Sequence, residues 1–443
     1  MTDLLTTAQR ADLLASRYAQ VRGTTETLAA PLSPEDQTVQ SMPDVSPTKW
    51  HRAHTSWFFE TFLLEPSLAG YRSFHPAYAY LFNSYYEGVG ARYPRPRRGV
   101  VSRPGVGEVT KYRDHVDAAM ARLLREPLDP AATDLVELGL HHEQQHQELL
   151  LMDIKHVLSC NPLQPAYATV TVAEPASAPP ALRWVEHEGG MVEVGHDGNG
   201  FAFDNERPRH GVYLEPFALA DRAVTCGEWT SFIDDGGYDR PDLWLSDGWA
   251  TAQAEGWDAP LYWFKVADDW WLFTLGGPQL VDPSEPVCHV SYYEADAFAR
   301  WRGARLPTES EWETVAATQV RGGARVGAGS VGAGSLGAGS LGAGSVVGNF
   351  LDPAVLHPRP STGAPSLFGD VWQWTRSAYS PYPGFQPAAG AVGEYNGKFM
   401  VNQYVLRGGC CVTPADHIRP AYRNFFPPSA RWAFAGLRLA RDS

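Results

Sequence analysis

The chain changes character at one place. Residues 161–182 read NPLQPAYATVTVAEPASAPPAL, a stretch of Pro, Ala and Ser with few groups able to pack. Such a stretch neither continues a helix nor holds a core, so it reads as a linker between two separately built parts. The two sides differ accordingly. Of 15 Trp in the 443-residue chain, only Trp50 and Trp57 precede the linker. On that side apolar residues recur every three or four positions: Val109, Tyr112, Val116, Met120 and Leu123 across 109–124, and Leu135, Leu138, Leu149, Leu150 and Ile154 across 133–158. This period predicts helices. Similar segments near 4–28 and 46–64 complete a four-helix bundle over 1–160. The C-terminal side, 183–443, has short apolar runs, many Gly and Pro, and aromatics scattered among turns; only 291–302 and 308–318 look helical. A mixed domain held by buried aromatic rings is expected there, which makes the whole chain α+β. Four pentads, VGAGSVGAGSLGAGSLGAGS over 326–345, offer almost nothing to a core and read as a flexible surface insertion.

Composition excludes several classes. With 36 Lys and Arg against 50 Asp and Glu the net charge is −14, which argues against a nucleic-acid partner. The aromatic content excludes a disordered chain, and no apolar run reaches the roughly 18 residues of a membrane span. The start, MTDLLTTAQRADLL, lacks a basic segment before an apolar core, and five Cys without CxxC spacing suit a reducing compartment. A cytoplasmic monomer acting on small molecules is the expectation.

The sharpest local signal is HHEQQHQE at 141–148, inside a predicted helix. His142 and His146 are four apart, so both rings project from one face, together with Leu135, Leu138 and Leu149. Two imidazoles on a core-facing stripe need partners for all four nitrogens, and a metal supplies one to each ring. A second imidazole on an apolar face comes from SPTKWHRAHTSWFFE, 46–60, where His54 lies with Trp50, Trp57 and Phe58; His51, one turn earlier, competes with it. Either would complete a three-His set that leaves coordination positions open. HEQQH also fits the zinc-protease pattern HExxH with Glu143 as base, although Leu149 and Met152 stand where the extended pattern wants Gly and His. Between these segments, FNSYYEGVGARYPRPRRGVVSRP (82–104) gathers Arg92, Arg95, Arg97, Arg98 and Arg103 against one Glu. Guanidinium groups match carboxylates bidentately, which suggests capture of an anionic substrate; a solvated loop pairing with the acidic surface is the alternative.

Taken together these marks resemble known families. SPTKWHRAHTSWFFE and HHEQQHQE resemble the DinB-like metal-binding bundle. GGMVEVGHD (189–197), FDNERPRH (203–210), RLPTESEWE (305–313), GDVWQWT (369–375) and VLRGGC (405–410) resemble the formylglycine-generating-enzyme-like, or sulfatase-modifying, domain with its C-type-lectin-like core. Their union, with FNSYY, YSPYPGF and YRNFF, is similar to the hercynine oxygenases, iron-dependent sulfoxide synthases of ergothioneine biosynthesis. The resemblance implies Fe(2+) held by His54, His142 and His146. It implies O2-dependent coupling of a small thiol, γ-glutamylcysteine or cysteine, to the imidazole ring of hercynine, with oxidation of the sulfur to a sulfoxide.

The same resemblance implies roles for individual residues. Gln145 hydrogen-bonds the hercynine imidazole. Tyr379 is the proton donor, since a phenol stays protonated at neutral pH, and Tyr382 shapes the hercynine pocket. Asn424, Phe425 and Phe426 meet the carboxylate and quaternary ammonium of hercynine. Asp416 holds the amino group of the thiol substrate, and two of Arg92, Arg95 and Arg98 hold its carboxylates; the excess of Arg favours γ-glutamylcysteine. Departures from the family phrase GNVWEWT are Asp370 and Gln373, expected to serve the scaffold, as are Cys410 and Cys411. A DinB-type thiol S-transferase and a non-catalytic ligand-binding module are the other classes, and no acidic loop of a calcium-binding kind is evident.

Overall fold

The computed structural model describes residues 7–170, 180–321, 346–362 and 367–443. The GAGS pentads and the middle of the Pro/Ala-rich stretch lie outside them. The chain divides into two compact units: Met1–Ala168 with Ala388–Tyr395, and Thr169–Pro387 with Asn396–Ser443. Among the described residues no helix is long and apolar enough to cross a membrane.

The first unit is built on four long helices: α1 (Thr7–Ala29), α2 (Thr48–Phe59), α3 (Val106–Leu123) and α4 (Pro130–Ser159). Helix α4 starts three residues before the expected 133–158. The Asp129 side chain accepts from Ala132 N, and Pro130 occupies the first turn, where its missing N–H costs nothing. Helix α2 runs on into a π-helical turn, Glu60–Leu64. The core joins Trp57, Phe58 and Phe59 of α2, Val109, Tyr112, Val116 and Met120 of α3, and Val136 and Leu140 of α4. Leu135, Leu138 and Leu149, expected to lead the buried face of α4, are only half-buried; Val136, Leu140, Leu150, Leu151 and Met152 are buried instead. Helix α4 packs against both α1 and α2, so its buried arc is wider than a single stripe.

Two features draw the helices together. A Cβ on Gly139 would lie 2.6 Å from Phe59 Cε1 and 3.0 Å from Phe58 Cε1, so glycine permits close approach of α4 to α2 one turn before His142. Beneath, a buried charge network crosses three helices: Glu143 of α4 accepts from Arg22 of α1 at 2.9 Å, Arg113 of α3 at 3.0 Å and Thr25 Oγ1 at 2.7 Å. The short segment Ala388–Tyr395 was expected in the C-terminal domain but belongs to this unit. The Glu394 carboxylate accepts from the backbone N–H groups of Glu87 and Gly88 at 2.9 and 2.7 Å, and Tyr395 stacks on Tyr85 at 5.1 Å. Backbone donors in the turn that follows FNSYY need an acceptor, and no periodic pattern announces which distant residue supplies it.

The second unit contains a four-stranded sheet in the order Asn424–Phe426, Tyr404–Arg407, Trp372–Ala378, Ala435–Leu437, antiparallel except for the last pairing. Smaller sheets and hairpins surround it, including Gly190–Val194 with His210–Leu214. Buried rings hold it, such as Trp229 stacked on Phe298 at 4.8 Å. Helices Tyr292–Trp301 and Glu309–Arg321 answer the two expected ones, but Cys226–Asp234 and Ser246–Glu255 are helical as well. The first is nucleated by a capping box between Thr225 and Glu228, a signal independent of apolar period; the second carries Gly248 and stops at Gly256 in the left-handed conformation. In GDVWQWT, Gln373 Oε1 accepts from Trp312 Nε1 and Arg438 Nε, both at 2.9 Å, and Asp370 Oδ1 accepts from Asn349 Nδ2 at 2.8 Å. Both are scaffold contacts.

Gly139→Ala should lower the stability of the bundle by about 1–3 kcal/mol through overpacking against the two Phe rings. Urea unfolding followed by far-UV circular dichroism measures it; an unchanged midpoint would show that the helices have room to spare.

Candidate metal centre

Helices α2 and α4 carry His54, His142 and His146 to one place. Their ligand nitrogens all lie within 4.8 Å of one another, and all three rings are buried. His54 is clamped between two indoles, with Trp50 at 4.6 Å and Trp57 at 5.4 Å, both nearly parallel to it. Its Nδ1 lies 2.6 Å from the Phe82 carbonyl oxygen. A carbonyl only accepts, so Nδ1 carries the hydrogen and Nε2 keeps a lone pair. That Nε2 is 3.2 Å from His142 Nε2.

His146 is set in the same way by a longer chain. Its Nδ1 is 2.8 Å from His51 Nδ1, and His51 Nε2 is 3.0 Å from Asp153 Oδ2, which also accepts from Ser46 N at 2.7 Å. The carboxylate fixes the hydrogen on His51 Nε2, so His51 Nδ1 accepts from His146 Nδ1 and leaves His146 Nε2 with its lone pair free. His51, the open alternative to His54, thus stands one step out from the cluster, beside Asp153. His142 Nδ1 is buried with no hydrogen-bond partner among the described residues.

The rings are held neutral, the form that binds a metal. Burial, then His142, keeps His54 well below the ordinary imidazole value; burial brings His142 down to about 4; burial and the neighbouring His54 and His142 lower His146. Three neutral imidazoles suit a borderline divalent ion such as iron, and leave sites for other donors. The residues present therefore fit a metal. They do not fit the zinc-protease pattern. Burial alone would raise the Glu143 carboxyl, but Arg22 and Arg113 outweigh it and bring it down to about 2, and both oxygens are taken. A base needs a value nearer working pH and a free oxygen.

The arginines of 82–104 separate sharply. Arg98 is buried, stacked over Trp50 with its guanidinium carbon 3.4 Å from the ring centroid, and donates to Ser46 Oγ at 2.9 Å and Ser84 Oγ at 3.3 Å. Arg92 and Arg95 are exposed; Arg92 pairs with Glu87 at 2.9 Å and Arg95 donates to the Asp44 carbonyl. Arg95–Val100 forms a short 3-10 helix rather than the expected loop, started by the Pro-rich run. Gln145, half-buried, hydrogen-bonds Tyr395, whose hydroxyl is pushed up to about 12 mainly by burial.

The remaining predicted residues belong to the second unit. Tyr379 is 1% exposed and stacks on Phe425 at 4.1 Å, which makes neighbours of two of them. Asn424, Phe425 and Phe426 form one strand, and Asp416 is exposed at a short helical turn. Tyr382 is buried, and its hydroxyl accepts from Arg407 Nη2 at 3.1 Å and lies 3.4 Å from Glu309 Oε2; burial and Glu309 push its titration up. Arg423 lies over the Tyr382 ring at 4.0 Å and donates to Glu309 at 2.9 and 3.0 Å. Sequence reasoning misses Asp153, Glu309, Arg407 and Arg423. Three of them stand inside the noted phrases RLPTESEWE, VLRGGC and YRNFF, but only packing shows what they touch.

Residues 169–443 match the sulfatase-modifying factor enzyme 1-like domain and residues 17–150 the DinB superfamily. The chain is 33% identical over 414 residues to the hercynine oxygenase of Mycolicibacterium thermoresistibile, covering 90% of this chain and 88% of that one. It is 32% identical over 409 residues to that of Mycobacterium tuberculosis, covering 90% and 92%. The hercynine oxygenase of Mycolicibacterium smegmatis is 35% identical over 314 residues, 69% of this chain and 71% of that one. Fold and matches together define an enzyme in which a DinB-superfamily bundle bearing a three-imidazole cluster precedes a sulfatase-modifying-factor domain. The chain belongs to the hercynine oxygenase family.

His54→Ala should abolish tight ferrous binding, whereas His51→Ala should keep it with about 10–100-fold lower affinity, as expected for an outer residue that orients a ligand; metal titration with elemental analysis decides, and the reverse order would exchange their places. Glu143→Ala should cost about 3 kcal/mol in urea unfolding because it takes one of two carboxylate partners from each of two buried guanidinium groups, leaving Arg22 with Asp117 and Arg113 with Glu26. A stable Glu143→Ala protein would make Glu143 a candidate reactive group again.

Proposed function

We propose that the protein is a non-haem iron(II) oxygenase of ergothioneine biosynthesis. It joins the thiol of γ-glutamylcysteine to the imidazole ring of hercynine with O2, giving γ-glutamyl-hercynylcysteine sulfoxide. The observation that carries this reading is the convergence of three neutral, buried imidazoles in a member of the hercynine oxygenase family. The reaction balances: a ring C–H, an S–H and O2 become a C–S bond bearing one oxygen, and water. Ferrous iron on His54, His142 and His146 supplies the open positions and the redox chemistry for thiol and O2.

The chain's own residues do the rest. The Phe82 carbonyl and the His51–Asp153 pair hold two of the rings with a nitrogen lone pair free. The hydrophobic walls of Trp50 and Trp57 exclude water from His54. Arg98, buried on Trp50 and hydrogen-bonded to two hydroxyls among the described residues, is the strongest of the three arginines for a substrate carboxylate, with Arg92 or Arg95 as the second. Gln145 orients the hercynine ring through its amide. Asn424, Phe425 and Phe426 receive the carboxylate and quaternary ammonium, Tyr382 lines that pocket, and Asp416 takes the amino group of the thiol. Tyr379 gives the proton that the oxygen chemistry consumes. The protein works as a cytoplasmic monomer on small molecules.

Anaerobic loading with Fe(2+), followed by hercynine, O2 and either γ-glutamylcysteine or cysteine, should yield a sulfoxide by mass spectrometry, with γ-glutamylcysteine preferred. A cysteine preference reassigns the thiol. Product without O2 uptake would make the protein an S-transferase, and no product with either thiol would overturn the reading. Tyr379→Phe should bind iron normally and lose sulfoxide while thiol oxidation grows; an unchanged product ratio would move the proton donor elsewhere.

A further inference from the structure

Tyr379 follows directly on the strand Trp372–Ala378, at a register irregularity against Tyr404–Arg407. Its backbone N–H donates to Gln403 O at 2.8 Å, and its ring lies flat on Phe425, so the position of the hydroxyl is set by the backbone and a stacked ring. Two amide side chains meet that hydroxyl. Asn205 Nδ2 is 2.9 Å from Tyr379 Oη, and the same nitrogen donates to the Arg423 carbonyl oxygen at 3.4 Å. A carbonyl accepts only, so the nitrogen end of the amide faces the phenol, and the phenol oxygen receives a hydrogen there. On the other side Asn396 Oδ1 is 3.4 Å from Oη, and Asn396 Nδ2 donates to Asp204 Oδ1 at 2.6 Å, which fixes the orientation of that amide too.

The phenol thus accepts a bond of ordinary length and directs its own hydrogen at a neutral carbonyl near the limit of bonding distance, while the Arg423 guanidinium lies 5.0 Å from the ring centroid. Other buried phenols are held in the opposite sense. Tyr18 donates to Asp117 at 2.6 Å, Tyr112 to Glu60 at 2.6 Å and Tyr238 to Glu294 at 2.7 Å. A carboxylate grips the proton and opposes a phenolate, whereas an amide N–H favours the phenolate. Asn205 itself is anchored. Its carbonyl oxygen accepts from Arg423 Nη1 at 2.9 Å, and the next residue, Glu206, accepts from Arg419 Nε at 2.8 Å. Its Oδ1 is buried without a hydrogen-bond partner among the described residues, a cost that a purely structural amide would not be expected to carry.

We infer that Asn205 is a positioning residue for proton donation: its N–H holds the phenol oxygen of Tyr379, leaves the hydroxyl hydrogen on the weakly held side, and stabilises the phenolate that remains. This rests on Tyr379 being the proton donor. The phrase FDNERPRH supplies the residue, and the fold brings it to Tyr379.

The test uses Asn205→Asp, which replaces the donor by an acceptor of the same shape, Asn205→Ala, which removes the donor without adding charge, and Tyr379→Phe. In iron-loaded enzyme with hercynine and γ-glutamylcysteine, Asn205→Asp should lower kcat about tenfold or more, leave the hercynine KM nearly unchanged and shift product toward oxidised thiol. In the Tyr379→Phe background it should add nothing. In metal-free protein carrying 3,5-difluorotyrosine at position 379, the fluorine resonance should titrate about one pH unit higher with either Asn205 variant. An unmoved titration, or a kcat loss that persists undiminished in the Tyr379→Phe background, overturns the inference. Should Asn205→Asp fail to fold, the Asn205→Ala titration decides the question in its place. A wild-type product ratio in Tyr379→Phe would instead sink the proton-donor assignment, and the fluorine titration would still report on the Asn205 bond.

Discussion

Three uncharged imidazoles meet at one buried point, and the bundle is arranged to keep them there uncharged. Burial alone expels the proton from His142. It would also leave six ring nitrogens to satisfy, and the surroundings answer selectively: a carbonyl for His54, a histidine–aspartate pair for His146. What these partners leave over are lone pairs aimed at a common place. A water-filled cavity would have let the rings protonate and repel one another. Helix α4 reaches α2 closely enough only because position 139 has no side chain.

The same helical turn solves the opposite problem a residue away. Glu143, next to His142, is turned by about 100° and enters a second network, where Arg22 and Arg113 keep it charged. One short motif thus carries neutral donors on one arc and a fixed anion on another. The anion ties α1, α3 and α4 together, with both of its oxygens engaged. A pattern match to HExxH cannot separate these uses, because the separation depends on which neighbours arrive.

In the second unit polar groups are likewise sorted by partner. Glu309 is enclosed by Arg407 and Arg423, which hold it below its ordinary value against the pull of burial, and Tyr382 is drawn into that ionic cluster. Tyr379, three residues away, has Arg423 over its ring at 5.0 Å but meets only the amides of Asn205 and Asn396 among the hydrogen bonds described for its hydroxyl. Two tyrosines three residues apart thereby acquire different electrostatic surroundings, as the proton-donor role proposed for Tyr379 requires.

Much of this was legible in the residues. Apolar period three to four marks α3 and α4, and the four-residue spacing puts His142 and His146 on one face, because each follows from local geometry that a helix imposes on its own chain. Even the presence of a third imidazole on an apolar face of α2 could be read, though not whether it was His51 or His54. That choice, the unequal fates of Arg92, Arg95 and Arg98, the return of Ala388–Tyr395 to the first unit and the approach of Asn205 to Tyr379 were decided only by tertiary structure. They join residues from five to about three hundred positions apart, mostly in irregular segments. There no period constrains direction, and the partner of a buried polar group is set by whichever element packs over it.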